Sequence, residues 1–274
     1  MTGLGRSINK TLSYAGYFNF PLYEKEIYLW LITSKKIPLE SIRSIYVHHV
    51  TKSQIEYRKK LKKLSDKKRE EAVKISRILS IIPSVKMVAI TGSVAIQNPQ
   101  KDDDIDLMIV VSDHALWITR FLITIIISLT GRRRYPNDSH QKAANTYCLN
   151  LWLEEGALKI PREKQNLYTA HEVLQILPIY DRSNYYCRFI STNKWVSKFL
   201  ANAYSEKSKE CTDMIIVKRT KLLSYLTFPI NYLFYIVQKI YMRPKLTTET
   251  ISIHYAYFHK INFSKKINKY LAGQ

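Results

Sequence analysis

Residues 87–110 have the sequence MVAITGSVAIQNPQKDDDIDLMIV, in which two apolar segments flank a polar connection. The first segment ends at Gly92 and Ser93, and ten residues separate this pair from Asp104 and Asp106, which open the second segment. Short apolar segments bounded by turn residues are typical of buried strands. Because successive side chains on a strand point to opposite faces, Asp104 and Asp106 are expected on one face, about 7 Å apart along the chain. The stretch therefore predicts two strands, the second presenting two carboxylates side by side.

The paired carboxylates predict a site for a hard cation. Magnesium binds a few carboxylate oxygens and completes its coordination with water and substrate phosphates, so the pair indicates a phosphate-bearing substrate. Gly92 allows a backbone to approach that substrate, and Ser93 with the amides of the next helix offers donors to an anion. A common turn followed by a solvated acidic loop is the alternative. Asp106 favours the functional interpretation, because an unpaired carboxylate inside an apolar segment is costly.

The combination of an apolar strand, Gly92-Ser93, ten further residues and Asp104-x-Asp106 in a second strand resembles the signature of the polymerase-beta-like nucleotidyltransferase superfamily. The resemblance implies an α/β (α+β) fold with a small mixed-sheet core. It implies that Gly92 and Ser93 bind the triphosphate and that Asp104 and Asp106 carry two Mg²⁺ ions. The implied reaction transfers a nucleoside monophosphate from ATP or another NTP to an acceptor, with RNA and small molecules as candidate acceptors.

Members of this superfamily usually carry a third carboxylate on a neighbouring strand. The candidate strand here, residues 146–153, has the alternating sequence TYCLNLWL, and the position between its two inner leucines is Asn150. An amide oxygen can bind a metal but cannot take a proton from an acceptor hydroxyl, so Asn150 is predicted as a metal ligand and no base is assigned. Glu154 shares the face of Asn150 but lies near the strand end. A nucleotide-binding sensor or partner-binding protein without turnover is therefore an alternative function.

Arginines near the predicted site offer further phosphate contacts. Arg120 interrupts the apolar helix predicted for residues 116–129, where it is expected either to reach solvent or to point at the phosphates. Arg132 to Arg134 follow that helix, and bidentate phosphate binding and a solvated helix end are equally favoured for them. We therefore include Arg120 among the predicted nucleotide-binding residues.

The chain is strongly basic, with 43 Lys and Arg against 22 Asp and Glu and a net charge of +21. Such a charge suggests a nucleic acid or an anionic surface as partner, although lysines spread over helix faces are usually only solvated. The predicted helix 54–82 combines an apolar stripe with a basic opposite face that includes Lys67 and Lys68. A basic adaptor for nucleic acid or for a membrane surface is thus a further alternative function.

Cysteine content and hydropathy predict a cytoplasmic protein. Cys148, Cys187 and Cys211 are odd in number and lack metal-binding spacing, which predicts reduced, idle thiols. The first residues lack the apolar core of a signal peptide. Residues 115–129 are too few for a membrane span of about 20 residues, and residues 222–241 carry polar groups and tyrosines typical of a packed helix. The sequence therefore does not favour membrane association.

Three regions are predicted along the chain. Residues 1–50 form a small helical module that resembles a degenerate helix-turn-helix, for which packing on the catalytic domain is favoured over DNA binding. Residues 51–160 form the nucleotidyltransferase core, and residues 161–274 a helical C-terminal region. The helix predicted at 166–176 contains His171-Glu172, interpreted as polar groups satisfied within the fold rather than as a site.

The order of elements is also similar to that of a group of bacterial nucleotidyltransferase-domain proteins. The similarity covers nearly the whole chain, and in that group Asn150 would be a regular feature. It implies no particular substrate. The segments that carry it are FPL 20–22, TGS 91–93 through Asp106, CLNLW 148–152, YTAHE 168–172, NKWV 193–196, QKIYM 238–242 and FH 258–259.

Overall fold

The computed structural model describes residues 3–45, 50–135, 138–211, 221–245, 249–258 and 263–273. Pro136 and His259 lie outside these ranges, and so does part of the predicted 1–50 module. The helices are α1 Gly3–Tyr17, α2 Glu24–Leu29, α3 Leu39–Arg43, α4 Lys52–Leu79, α5 Gly92–Ala95, α6 Leu116–Leu129, α7 His140–Ala143, α8 Leu167–Gln175, α9 Tyr185–Thr192, α10 Ala201–Lys209, α11 Lys221–Met242 and α12 Phe263–Ala272. The strands are β1 Val85–Ile90, β2 Ile105–Val111, β3 Tyr147–Glu154, β4 Leu177–Asp181, β5 Thr250–Ile251 and β6 Tyr255–Tyr257.

These strands form one mixed sheet in the order β4-β1-β2-β3-β6-β5. Only β2 and β3 run parallel, and the other neighbouring pairs are antiparallel. A parallel pair needs a crossover connection, which here contains α6 and α7. The α/β (α+β) class with a mixed sheet is therefore confirmed.

Helices cover both faces of the sheet, because β1 and β2 are apolar on both sides. Val88 and Ile109 belong to a buried cluster with residues of α4 and α6, whereas Met87 and Met108 belong to a second cluster with α8 and α9. Strands buried on both faces have nearly continuous apolar sequences, as these two do. The ends of β2, rather than its faces, are thus where polar side chains gather.

Helix α4 begins at a capping box, in which Gln54 N donates to Thr51 Oγ1 and Thr51 N donates to Gln54 Oε1. The prediction that Lys68 belongs to a solvated basic face is wrong. Lys68 is 2% exposed, and its Nζ donates to the backbone carbonyls of Lys101 and Asp103 at 3.2 and 2.6 Å and to Asn145 Oδ1 at 2.9 Å. The polar connection before β2 covers this face of α4, which periodicity within the helix alone does not reveal.

The prediction that the region from residue 161 onward is helical is wrong for β4, β5 and β6. These three strands come from that region and extend both edges of the sheet. β4 has the sequence LPIYD, in which Pro178 interrupts a strand pattern, and β5 and β6 have two and three residues. Strands this short show no clear period, so only their pairing, β4 with β1, β6 with β3 and β5 with β6, identifies them.

The N-terminal segment packs on the rest of the protein, including α4, α8, α10 and α12. Thr33 pairs with Leu200 in a β-bridge beside α10. Arg58 of α4 binds the Glu26 carboxylate through both terminal nitrogens, at 2.8 and 2.9 Å, and the Pro21 carbonyl at 2.6 Å. A bidentate pair of this kind holds α2 firmly against α4.

A disulfide joins Cys187 of α9 to Cys211, which follows α10, with the two Cα atoms 5.3 Å apart. The prediction of idle thiols is therefore wrong for these two residues. Their sequence separation of 24 carries no signal, since only the antiparallel return of α10 brings them together. Cys148 is the free cysteine of the described residues.

Helix α11 packs on α6 through buried polar side chains. Asn231 Oδ1 accepts from the amide of Trp117 at 2.7 Å, and Gln238 Nε2 donates to the Trp117 carbonyl at 2.7 Å. Its other face leaves Leu233 and Ile240 exposed. Within the described ranges, no helix combines the length and the hydropathy that crossing a membrane requires.

Candidate active site

The turn after β1 admits only glycine at its centre. Thr91 N donates to the Asp106 carbonyl at 3.0 Å, which joins the end of β1 to the start of β2. Gly92 has φ +62°, and a Cβ there would lie 2.3 Å from Asp106 Oδ2. A side chain would therefore be strained by the backbone and would overlap the carboxylate. The glycine singled out in the sequence is required because the Asp106 carboxylate packs against its backbone.

The two aspartates of the Asp-x-Asp motif converge, as their spacing predicts. Asp106 lies in β2 and Asp104 immediately precedes it, since the strand begins at Ile105. Ligand atoms of Asp104, Asp106 and Cys148 all lie within 4.8 Å of one another. Cys148 joins the pair because it stands opposite Asp106 in the register of β2 and β3.

A bulge in β3 directs Asn150 at Asp106. Leu107 pairs with Leu149 and Met108 with Leu151, so Asn150 has no partner in β2. Bulges commonly re-aim a side chain next to functional sites. Here Asn150 Nδ2 donates to Asp106 Oδ1 at 2.8 Å, whereas the buried Asn150 Oδ1 has no hydrogen-bond partner among the described residues. A buried amide oxygen without a donor beside two carboxylates is a fitting ligand for a hard cation.

The electrostatics of the cluster favour a bound cation. Burial raises the pKa of Asp106 well above its ordinary value, and the charges of Asp104 and Glu172 raise it further. Burial also raises the pKa of Asp104, an effect that the Arg134 guanidinium partly offsets. Arg134 Nε lies 3.6 Å from Asp104 Oδ2. Crowded carboxylates with raised pKa values are typical of sites that a metal ion neutralises.

Glu172 of α8 is the functional candidate that the sequence analysis does not assign. It lines the same cavity as the aspartates and lies close enough to Asp106 to raise the pKa of that group. Burial raises the pKa of Glu172 to about 7, and a hydrogen bond from Tyr168 partly offsets the rise. The sequence gives little signal for this role, since β2 and α8 are distant along the chain and α8 contains other polar residues, among them Thr169 and His171. A carboxyl group with such a pKa is suited to proton transfer near neutral pH.

His171, next to Glu172, is buried against an aromatic ring. Its ring stacks on Tyr14 with centroids 4.1 Å apart and lies 3% exposed. Burial lowers the pKa of His171 to about 3, so the ring is neutral at physiological pH. The interpretation of this histidine as a polar group satisfied by the fold is wrong for one ring nitrogen: Nδ1 lies 3.4 Å from Gln175 Nε2, whereas the buried Nε2 has no hydrogen-bond partner among the described residues.

The polar connection before β2 is ordered by Asp103, so this carboxylate is more than the solvated loop charge that its sequence context suggests. Asp103 Oδ2 accepts from Ser93 Oγ at 2.8 Å and from the amide of Gln100 at 2.9 Å. Lys68 binds the carbonyl of the same residue. Ser93 thus lines the cavity, but its hydroxyl is engaged by Asp103.

The arginines divide into structural and cavity-lining groups. Arg132 binds Glu71 at 2.5 Å and the Asn145 carbonyl, which makes it structural. Arg133 and Arg134 line the cavity. Arg120 is half-buried, binds Gln238 of α11 at 2.5 Å and stacks on Phe258 at 4.6 Å. It lies on the cavity wall, where burial lowers its pKa to about 10.

One cavity of about 1210 Å³ unites these groups. It has room for a nucleotide together with part of an acceptor. The residues assigned from sequence that line it are Gly92, Ser93, Asp104, Asp106, Arg120 and Asn150. Glu154 is absent from its lining, because it lies at the opposite end of β3 and binds His254.

Comparison with known proteins gives no family assignment. No family model matches the chain, and no curated protein sequence matches it significantly. The class of protein therefore has to be argued from the fold and from the residues of this cavity.

Proposed function

We propose that this protein is a magnesium-dependent nucleotidyltransferase that transfers a nucleoside monophosphate from an NTP to an acceptor. One observation carries the proposal: the buried Asn150 oxygen, which lacks a donor, lies beside the Asp104 and Asp106 carboxylates and the glycine turn. Three oxygen ligands next to a close backbone approach suit a cation that bridges protein and phosphate. The sequence motif supports the same class.

Asp104, Asp106 and Asn150 would hold the Mg²⁺ ions. When bound, two such ions neutralise phosphate charge and stabilise the charge that develops as pyrophosphate leaves. The role of Asn150 is to fix the orientation of Asp106 through its amide group. Asn150 therefore acts as a ligand and an orienting group, for which its lack of basicity is no disadvantage.

Nucleotide phosphates would meet the turn at Gly92 and Ser93 and the arginines of the wall. Ser93 would exchange its bond to Asp103 for one to phosphate, since both are anionic acceptors for the same hydroxyl. Arg133 and Arg134 offer guanidinium groups for bidentate phosphate contact. Arg120 contributes a half-buried positive charge that is fixed by Gln238 and therefore needs little reorganisation.

Glu172 would accept the proton of the attacking hydroxyl. Its pKa of about 7 leaves a substantial fraction ionised at neutral pH while keeping it basic enough to take a proton. This supports an enzyme over the sensor alternative, whose main argument is the absence of a third carboxylate in β3. The base is supplied by a helix rather than by the neighbouring strand.

The experiment is incubation of the purified protein with each α-labelled NTP and Mg²⁺, with and without cell extract. Asp104→Ala/Asp106→Ala is the inactive variant, and Asp66→Asn, which removes an exposed carboxylate of α4, is the matched control. We expect label on an acceptor with the parent chain and with Asp66→Asn, but not with the double variant. Digestion of the product with ribonuclease distinguishes an RNA acceptor from a small molecule.

Three results would contradict the proposal. Magnesium-dependent NTP binding without transfer to any acceptor would favour a sensor on the same fold. Salt-sensitive binding of RNA or anionic vesicles that survives in the double variant, again without transfer, would favour a basic adaptor. Equal transfer by the double variant would remove the aspartates from the mechanism.

A further inference from the structure

A second cluster of ligand-type side chains lies at the other end of the sheet. Because β2 and β3 are parallel, their C-terminal ends lie side by side, at the opposite ends of the strands from Asp104 and Asp106. His114 follows the end of β2, Glu154 is the last residue of β3, and His254 lies in the turn between β5 and β6. Ligand atoms of these three side chains all lie within 4.8 Å of one another. None of the three lines the cavity that contains Asp106.

Glu154 is held in place from the protein side. It is 1% exposed, its Oε2 lies 2.7 Å from His254 Nδ1, and it accepts hydrogen bonds from the backbone amides of His114 and, at 3.5 Å, Leu116. Backbone donors that orient a carboxylate from behind are typical of the outer shell of metal sites. Glu154 is therefore preorganised, and the more exposed His254 is the adjustable partner.

His114 combines a left-handed backbone with a ring that lies beside the other members of the cluster. His114 has φ +60°, a conformation that favours glycine and that non-glycine residues adopt at a cost. Its ring lies against Phe228, with centroids 5.2 Å apart, and 6.1 Å from the His254 ring. A histidine at a position where glycine would be relaxed directs an imidazole toward Glu154 and His254.

We propose that His114, Glu154 and His254 form a binding site for a zinc-class divalent cation, separate from the carboxylate cluster at Asp106. Two imidazoles and one carboxylate suit Zn²⁺ rather than Mg²⁺, which prefers oxygen ligands. Bond lengths of about 2.0–2.2 Å in tetrahedral geometry separate neighbouring ligand atoms by about 3.3 Å. Opening the 2.7 Å His254–Glu154 contact to that distance needs only a small movement of the half-exposed His254. The fourth position remains for water or a ligand from outside.

The test uses the full-length chain with Asp106→Asn and Cys148→Ser, which removes two of the three donors of the other cluster. After chelator treatment, this parent is equilibrated with Zn²⁺ in excess Mg²⁺, and bound zinc is measured after desalting. We expect one zinc per chain and a higher melting temperature in zinc, because a ligand that binds only the folded state stabilises it. Co²⁺ is expected to give the visible bands of a tetrahedral site.

Two substitutions remove ligands and are chosen to perturb the fold as little as possible. His114→Gly relieves the left-handed backbone, and His254→Ala changes a half-exposed turn residue. Both are expected to abolish stoichiometric zinc binding and the zinc-dependent rise in melting temperature. His254→Cys is expected to restore binding and to add a thiolate-to-cobalt charge-transfer band that the parent lacks.

Zinc retained by His114→Gly and His254→Ala would overturn the proposal, as would a parent that binds no zinc. The second result would mean that Glu154 and His254 form only a hydrogen-bonded pair. Since the parent already lacks Asp106, these outcomes do not depend on nucleotidyl transfer.

Discussion

Gly92 illustrates how a single residue links the backbone to the chemistry of the site. Its Cα lies so close to Asp106 that a methyl group would overlap Oδ2, and its φ is positive. The sequence predicts that Gly92 lets the backbone approach a phosphate. The structure adds a second role, because the Gly92 backbone also contacts the Asp106 carboxylate. Conformation and contact can be separated by experiment, because Gly131 has φ +68° and a methyl group added there would meet nothing within 4 Å.

Gly92→Ala is expected to abolish nucleotidyl transfer and to lower the melting temperature more than Gly131→Ala does. Both substitutions cost roughly 1 kcal/mol for the left-handed backbone. Only Gly92→Ala must also displace the Asp106 carboxylate. Thermal unfolding and the labelled-NTP assay measure the two effects. Equal loss of stability and retained activity in both variants would show that the contact with Asp106 is unimportant.

Asp106→Asn is expected to stabilise the protein while it abolishes activity. The folded-state pKa of Asp106 is raised, so its ionised form opposes folding above that pKa, and the cost disappears as the pH falls and the group is protonated. In magnesium-free buffer at pH 8 we expect a rise in melting temperature, at about 2–4 °C per kcal/mol. The gain should shrink in acidic buffer. A variant less stable than the parent at pH 8 would contradict this interpretation.

Glu172 sets the expected pH dependence of the reaction. As a base it must be ionised, so the rate is expected to rise with pH through about 7. Glu172→Gln should lose this inflection together with most of the activity. Tyr168→Phe removes a hydrogen bond that lowers the pKa of Glu172, so its inflection should move to higher pH. An unchanged profile in Glu172→Gln would exclude Glu172 as the base.

Among the elements, α4 stabilises the site through Lys68. The ammonium group binds two loop carbonyls and the Asn145 amide oxygen, and burial lowers the pKa of Lys68, an effect partly offset by Asp103 and Asp104. Lys68→Met removes the donor from three part-buried acceptors, at about 1–3 kcal/mol for each one that water cannot reach and less for the others. We expect a clear loss of unfolding free energy in chemical denaturation. Lys67→Met, one residue away and exposed, should change it by less than about 0.5 kcal/mol.

Elements with a strong local pattern could be predicted, and those fixed by pairing could not. The predicted bounds of α6, 116–129, agree with the structure, because an apolar segment of this length has its own signal. The apolar segments 87–91 and 107–111, which predict strands, agree with β1 and β2 to within two residues at each end for the same reason. The direction of the Asn150 side chain depends on a bulge between the parallel strands β2 and β3. The position of Glu172 in the cavity depends on how α8 packs on the sheet. Neither feature leaves a trace in the local spacing of residues.

At the scale of the whole molecule, the disulfide ties α9 to the end of α10 on the face of the sheet that also carries α8. Closing a loop of this length restricts the unfolded chain by about 3 kcal/mol in the chain-entropy model. Cys187→Ser/Cys211→Ser is expected to lose about that much unfolding free energy, whereas Cys148→Ser should lose little. Denaturant titration with and without reductant measures both. A parent insensitive to reductant would indicate that the bond does not form in solution.

Strand β2 joins the two clusters of the molecule, with Asp106 at its beginning and His114 just beyond its end. This places an unusual restriction on how the gene for such a chain can vary. Inserting one residue within β2 would turn every side chain beyond the insertion to the opposite face of the sheet. If the start of β2 kept its pairing, the cluster at His114 would be disturbed, and if the end kept its pairing, the cluster at Asp106 would be disturbed. Two inserted codons would restore the faces but shift the ends apart by about 7 Å. Length variants should therefore be absent from β2.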